Sequence, residues 1–162
     1  LSVKQVDGPG KKEIENLIKN LTGKVAKVGW LDRSKYPNGV PVAMVASIQE
    51  FGAPSKNIPP RLGMRATVEN KKKEWSEIIQ NGAKAVAKGS WNATNVMSAV
   101  GLKAEGDFKK TISEVTTPRL KDETIAARLR KRRDKKTVGA LDKPLIDSGL
   151  MHSTLTNSVE DE

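Results

Sequence analysis

The chain has 162 residues, with 29 Lys and Arg against 19 Asp and Glu and a formal charge of +10, a length that suits one domain rather than two. It has no cysteine and one histidine, His152, which excludes disulfides, cysteine nucleophiles and a multi-histidine metal site within one chain. Only 36% of residues are apolar and 30% are charged, so the core is lean and much of the chain must face water or a partner.

Leu1 to Gly10 reads as a polar, loosely held lead-in with Gly8-Pro9-Gly10 as a breaker. It lacks a signal-type apolar region, and no apolar run approaches the ~20 residues that span a bilayer, so a soluble, reducing setting without a membrane partner is expected. The N-x-T sequons at Asn20 and Asn92 are then chance matches. Ile14, Leu17, Ile18 and Leu21 recur at helical spacing and predict a helix over 11–21, ended by Gly23. Lys24 to Leu31 alternates as a strand, with Ala26, Val28 and Trp30 on one face. Asp32 to Gly39 is a loop, punctuated by Pro37-Asn38-Gly39.

Pro41 suits a first helical position, and Met44, Val45, Ile48 and Phe51 predict one apolar stripe after it. Gly52 in a left-handed conformation and Pro54 end that helix. Ile58-Pro59-Pro60 must run extended, because a residue before proline is pushed out of the helical region. From about Ala66 to Lys88 a long helix is expected, with Trp75, Ile78, Ile79, Ala83 and Val86 buried and Lys71-Lys72-Lys73 as solvated surface. Asn92 or Thr94 can cap a second long helix to about Val115, carried by Met97, Val100, Ala104, Phe108, Ile112 and Val115. Gly101 and Gly106 weaken it, each by ~1 kcal/mol against alanine. The short link predicts an antiparallel hairpin. Thr117-Pro118 breaks the second helix.

Asp122 is expected to cap a basic helix from Glu123 to about Arg133, with Ile125 and Leu129 inward. Residues 119–136 hold nine Lys and Arg against three acids, and 130–143 reads as a basic connector. Asp147 or Ser148 can cap one helical turn, and Leu155 and Val159 alternate as in a final strand. The expected fold is α+β: a small β-sheet packed against several helices, among them a long helical hairpin, in one domain spanning 1–162.

Two groups of motifs carry a family resemblance. Ala46-x-x-x-Glu50-Phe51-Gly52, then Ile58-Pro59-x-Arg61, is similar to the signature of neck and tail-completion proteins of tailed bacteriophages. The second half adds Asp122-Glu123-Thr124-Ile125-Ala126 before a basic run, then Lys143-Pro144-Leu145-Ile146-Asp147-Ser148-Gly149-Leu150-Met151 and Ser153. Ser148 stands where threonine is usual in that family, which keeps the capping hydroxyl. The resemblance covers roughly Ala43 to Val159. It implies a virion structural protein and not an enzyme, made in the host cytoplasm. It implies a homo-oligomeric ring at the head–tail junction that completes or terminates the tail and joins it to the connector. Six copies are expected, matching the symmetry of most tail tubes. The implied partners are further copies of the chain, the tail tube protein, connector or neck proteins, and genomic DNA passing through the lumen.

A ring of copies needs heterologous contacts that close. The expected interface comprises Glu50, Phe51, Pro59, Pro60, Arg61, Asp147 and Leu150: an aromatic anchor, a stiff proline arm that lowers the ordering cost of binding, and the C-terminal turn. Phe51 also reads as ordinary core, and Arg61 as a solvated or locally paired cation. The alternative function is a nucleic-acid-binding module, with Arg128, Arg130, Lys131, Arg132, Arg133, Lys135 and Lys136 contacting DNA phosphates or an acidic partner. No aromatic lies inside that cluster, so base stacking is not expected there. No phosphate loop, nucleophile elbow or metal-loop spacing occurs. Asp147, Ser148 and His152 are the residue types of a hydrolase triad, but their close spacing opposes the required line, so capping is the expected role. No catalytic residue, metal or cofactor is expected.

Overall fold

The computed structural model describes residues 22–31, 33–133 and 140–162. The expected lead-in, the helix over 11–21, and Lys135 and Lys136 of the connector lie outside them. In chain order the described residues form β1 (Lys24–Gly29), α1 (Val42–Phe51), a 3-10 turn (Pro54–Lys56), α2 (Met64–Ala87), α3 (Ala93–Glu114), α4 (Asp122–Arg133), α5 (Leu150–Ser153) and β2 (Thr156–Asp161). The fold is α+β, as expected: one antiparallel strand pair packed against helices, two of which form a long hairpin.

β1 and β2 pair from Lys24 opposite Asp161 to Gly29 opposite Thr156. Opposite charges meet across the ribbon, Lys24 Nζ lying 2.5 Å from Asp161 and Lys27 contacting Glu160. A two-stranded ribbon is marginal alone; α3 lies against both strands. Val28 and Trp30 turn inward onto the core, and Trp30 Nε1 donates to the Met151 carbonyl at 2.8 Å. Gly101, read as a weakness in α3, lets β2 approach: a Cβ there would sit 2.9 Å from Asn157 Oδ1.

Asn92 caps α3 in a reciprocal box, its Oδ1 accepting from the Asn95 N–H at 2.9 Å while Asn95 Oδ1 accepts from the Asn92 N–H at 3.0 Å. Contacts along the hairpin step forward on α2 and backward on α3, so the helices run antiparallel. Gly82 faces Val96, where a Cβ would come within 2.7 Å of both valine methyls. Trp75 sets its ring edgewise on Phe108, centroids 5.7 Å apart, and its Nε1 donates to Asp107 at 2.9 Å. Thr67 and Thr111 hydroxyls lie 2.7 Å apart. The seam is narrow, and the flanking Ile79, expected inside, is exposed.

The main core joins Val42 and Ala46 of α1, Leu62, Ala104, Phe108 and Ile112 of α3, Leu145, Met151 and Leu155. Two predicted faces are corrected by it. On α1 the buried positions are Val42, Ala46 and Glu50; Met44 is 56% and Phe51 64% exposed. Small side chains at 42 and 46 permit close approach to Leu62, and Glu50 is drawn inward by the backbone N–H groups of Met64 and Arg65. On α4, Leu129 is 46% exposed while Arg128 is only 6% exposed, because the guanidinium is the donor that ties down the following segment. Asp122 is the first residue of α4, and the Lys121 carbonyl accepts from Thr124 and Ile125. Pro41 likewise stands just before α1, in an extended conformation.

Candidate functional site

Glu50 sits at the end of α1 and serves another helix. α2 starts after Gly63, whose left-handed conformation brings no side-chain cap. Glu50 supplies it: its carboxylate accepts from the Met64 N–H at 2.8 Å, the Arg65 N–H at 3.2 Å and Arg65 Nε at 2.9 Å. A helix N-terminus favours such an anion. Burial pushes this carboxyl up, but the Arg65 side chain and the two backbone N–H groups outweigh it and hold it below the ordinary value.

With Glu50 inward, the other flank of α1 faces out. Phe51 lies under Arg65, whose Cζ is 4.9 Å from the ring centroid. Met44, the half-buried Ile48 and Phe51 thus form an apolar ridge at i, i+4 and i+7. The chain then turns at Gly52, where φ is 77° and a Cβ would meet the Ile58 carbonyl at 2.9 Å and the Pro60 ring at 3.0 Å. Pro59 is half-buried and Pro60 exposed. The Arg61 and Leu62 N–H groups donate to the Gln49 carbonyl at 2.6 and 3.0 Å. Arg61 Nε donates to the Pro118 carbonyl at 2.9 Å. Glu50, Pro60 and Arg61 therefore line one shallow depression of about 380 Å³, with Phe51 adjoining through Arg65.

Asp147 and Leu150 lie elsewhere, in an apolar groove of about 780 Å³ between the 36–40 loop, α1 and residues 144–151. Tyr36, Val40, Val45 and Leu145 also line it. Burial, and then the Asp147 charge, push the Tyr36 hydroxyl up. The buried Gln49 Oε1 has no hydrogen-bond donor among the described residues. Asp147 lies 3.1 Å from Lys131 and 3.7 Å from Arg128 Nε. The Ser148 hydroxyl accepts from the Leu150 N–H at 3.3 Å.

The basic helix divides. Arg128 is not available to a phosphate: its Nη1 donates to the carbonyls of Lys143, Ile146 and Leu141 at 2.5, 3.1 and 3.3 Å, and Nη2 to Pro144 at 3.1 Å. Arg130, Lys131 and Arg132 are exposed, Lys131 being the one paired with Asp147. Arg133 closes α4. Periodicity missed Arg128 because one arginine among the several of this basic run carries no mark of burial. Among the described residues, no group of three or more His, Cys, Asp or Glu is placed to hold a metal ion, and no helix is long and apolar enough to cross a membrane. Comparison with known proteins finds no matching family model, no matching curated protein and no matching solved structure.

Proposed function

We propose that the chain is a structural subunit of a tailed-phage virion that works by self-assembly. It forms a ring at the head–tail junction, completes or terminates the tail, and makes or breaks no covalent bond. The expected ring has six copies, with the tail tube and the connector as neighbours. The motif resemblance motivates the family, and one observation carries the assembly reading. α1 is anchored by Val42 and Ala46 yet presents Met44, Ile48 and Phe51 outward, an ordered apolar ridge that a second subunit would cover. Arg65 over Phe51 is neutralised by Glu50, so the ridge can be desolvated without stranding a charge.

The test is negative-stain microscopy and native mass spectrometry of the protein alone and with purified tail tubes. Rings or capped tubes are expected. The double variant Met44→Ser/Phe51→Ser should keep its circular dichroism, both side chains being exposed, and lose assembly. Wild-type protein that stays monomeric beside tubes would refute the reading.

A second reading, a module that holds DNA phosphates without reading sequence, is favoured by the exposed Arg130 and Arg132, which have no carboxylate partner among the described residues. It requires affinity for random duplex that falls steeply with salt.

A further inference from the structure

A second concavity lies beside Arg128, on the side away from the apolar groove. It measures about 370 Å³ and is built from the 56–61 turn, the start of α4, Gln49 and Pro144. That volume is at the small end of the range of about 300–1,000 Å³ usual for ligand pockets. Its charged lining is Lys56, Arg61, Lys121 and Arg128, and no acid contributes to it.

Several cations elsewhere on the surface are answered by a carboxylate. Lys24, Lys27, Lys71, Lys72, Lys103 and Lys109 each have a carboxylate partner. Lys56, Arg61 and Lys121 have none among the described residues. Arg61 is also oriented. Its Nε is fixed on the Pro118 carbonyl, which leaves the terminal nitrogens of the fork to a ligand. Thr124 and Asn57 add a hydroxyl and an amide to the wall. Burial, and less so the Arg61 charge, push Arg128 down, while the Asp147 charge opposes them. An oxyanion beside Arg61 and Lys121 would gain charge-assisted bonds from both. A cation would meet only like charge.

We propose that the cleft bounded by Lys56, Arg61, Lys121 and Thr124 is a binding site for a phosphate group, held by Arg61 and Lys121. The group is supplied by a free phosphorylated ligand or by a nucleic-acid backbone. The site is separate from the Arg130–Arg132 surface, and it does not rest on the ring reading.

The test is calorimetric titration of the full chain with inorganic phosphate and with pyrophosphate at low salt. Saturable binding of pyrophosphate is expected, weakened about tenfold by Arg61→Gln or Lys121→Gln, the loss of one charge-assisted bond. The Lys121 side chain has no partner among the described residues, so Lys121→Gln reports even if Arg61→Gln fails to fold. The double variant Arg130→Gln/Arg132→Gln should bind within about twofold of wild type. Competition with a short random duplex separates the sources. Displacement of pyrophosphate assigns the site to the nucleic-acid backbone, and persistence of pyrophosphate assigns it to a free phosphorylated ligand; either supports the site. Absence of saturable pyrophosphate binding, or equal affinity in wild type and Lys121→Gln, overturns it.

Discussion

Replacing Arg128 by methionine should damage the fold more than any other change on the basic helix. The guanidinium accounts for four backbone carbonyls between Leu141 and Ile146, three of them within 3.1 Å. A hydrogen bond from a charged donor contributes about 1.5–3 kcal/mol. Three strong ones cannot simply be summed, because residues 141–147 are partly exposed and some carbonyls regain water. The expected loss is about 3–5 kcal/mol, the scale for removing one partner of a buried charged network. Total stabilities are about 5–15 kcal/mol, so the variant should unfold at much lower denaturant. Arg128→Lys should recover only part of the loss, since one ammonium cannot reproduce a planar fork. Arg130→Met, on an exposed neighbour, should fall within about 0.5 kcal/mol of wild type. Urea unfolding followed by circular dichroism, with slopes compared to confirm a common transition, reads all three. Arg128→Met within about 1 kcal/mol of wild type would show that the guanidinium does not hold the 141–147 segment.

Two glycines of the hairpin should respond in opposite directions. Gly106 has open space around it, so Gly106→Ala should stabilise by about 0.5–1 kcal/mol through helix propensity alone. Gly82→Ala would force a Cβ to 2.7 Å from a stiff β-branched Val96, so overpacking of about 1–3 kcal/mol should outweigh the propensity gain and lower the melting temperature; the two thermal shifts agreeing in sign would refute the packing. Glu50→Gln should cost about 1–2 kcal/mol at pH 7, as loss of a cap does. The folded-state value of Glu50 lies below the ordinary 4.5, so its contribution is present above 4.5 and lost as pH falls through the folded value. The stability gap between wild type and Glu50→Gln should therefore shrink under acid titration; a pH-independent gap would contradict the capping role.

Local signals made much of the fold legible. Asn92 as one of two candidate caps, Gly52 after α1 and the alternation around Val28 act on their own immediate backbone, so a few residues suffice to read them. Periodicity grouped Met44, Val45, Ile48 and Phe51 of α1 as one stripe, but the fold splits it: Val45 packs against the core while Met44 and Phe51 are exposed. The opposite face, with Val42, Ala46 and Glu50, looked weaker and is the buried one, because small side chains allow close packing and Glu50 caps a helix that begins 14 residues later. Arg128 escaped for a related reason. Arginine is ranked among surface residues, and its carbonyl partners belong to a segment of no regular structure. Of the expected interface, Glu50, Pro60 and Arg61 do come together, whereas Asp147 and Leu150 open onto a different groove. The cleft at Lys56, Arg61 and Lys121 has no contiguous motif at all; only folding brings the 3-10 turn to the start of α4.

Pairing, more than the net charge of +10, decides what each face can do. Exposed ion pairs such as Lys72–Glu69 and Lys24–Asp161 add little stability, but they answer both lysines of the ribbon and several of the hairpin. The apolar ridge on α1 is neutral, since Glu50 answers Arg65. Contact through that ridge is thus governed by apolar burial and is little affected by screening. Lys56, Arg61 and Lys121, with Arg130 and Arg132 on α4, are the opposite case. Covering them without counter-charges would strand cations in a medium that penalises them, so any partner there must carry anions and must weaken as salt rises. One small chain therefore presents two kinds of surface, an apolar one whose burial is little affected by salt and a cationic one whose contacts weaken as salt rises.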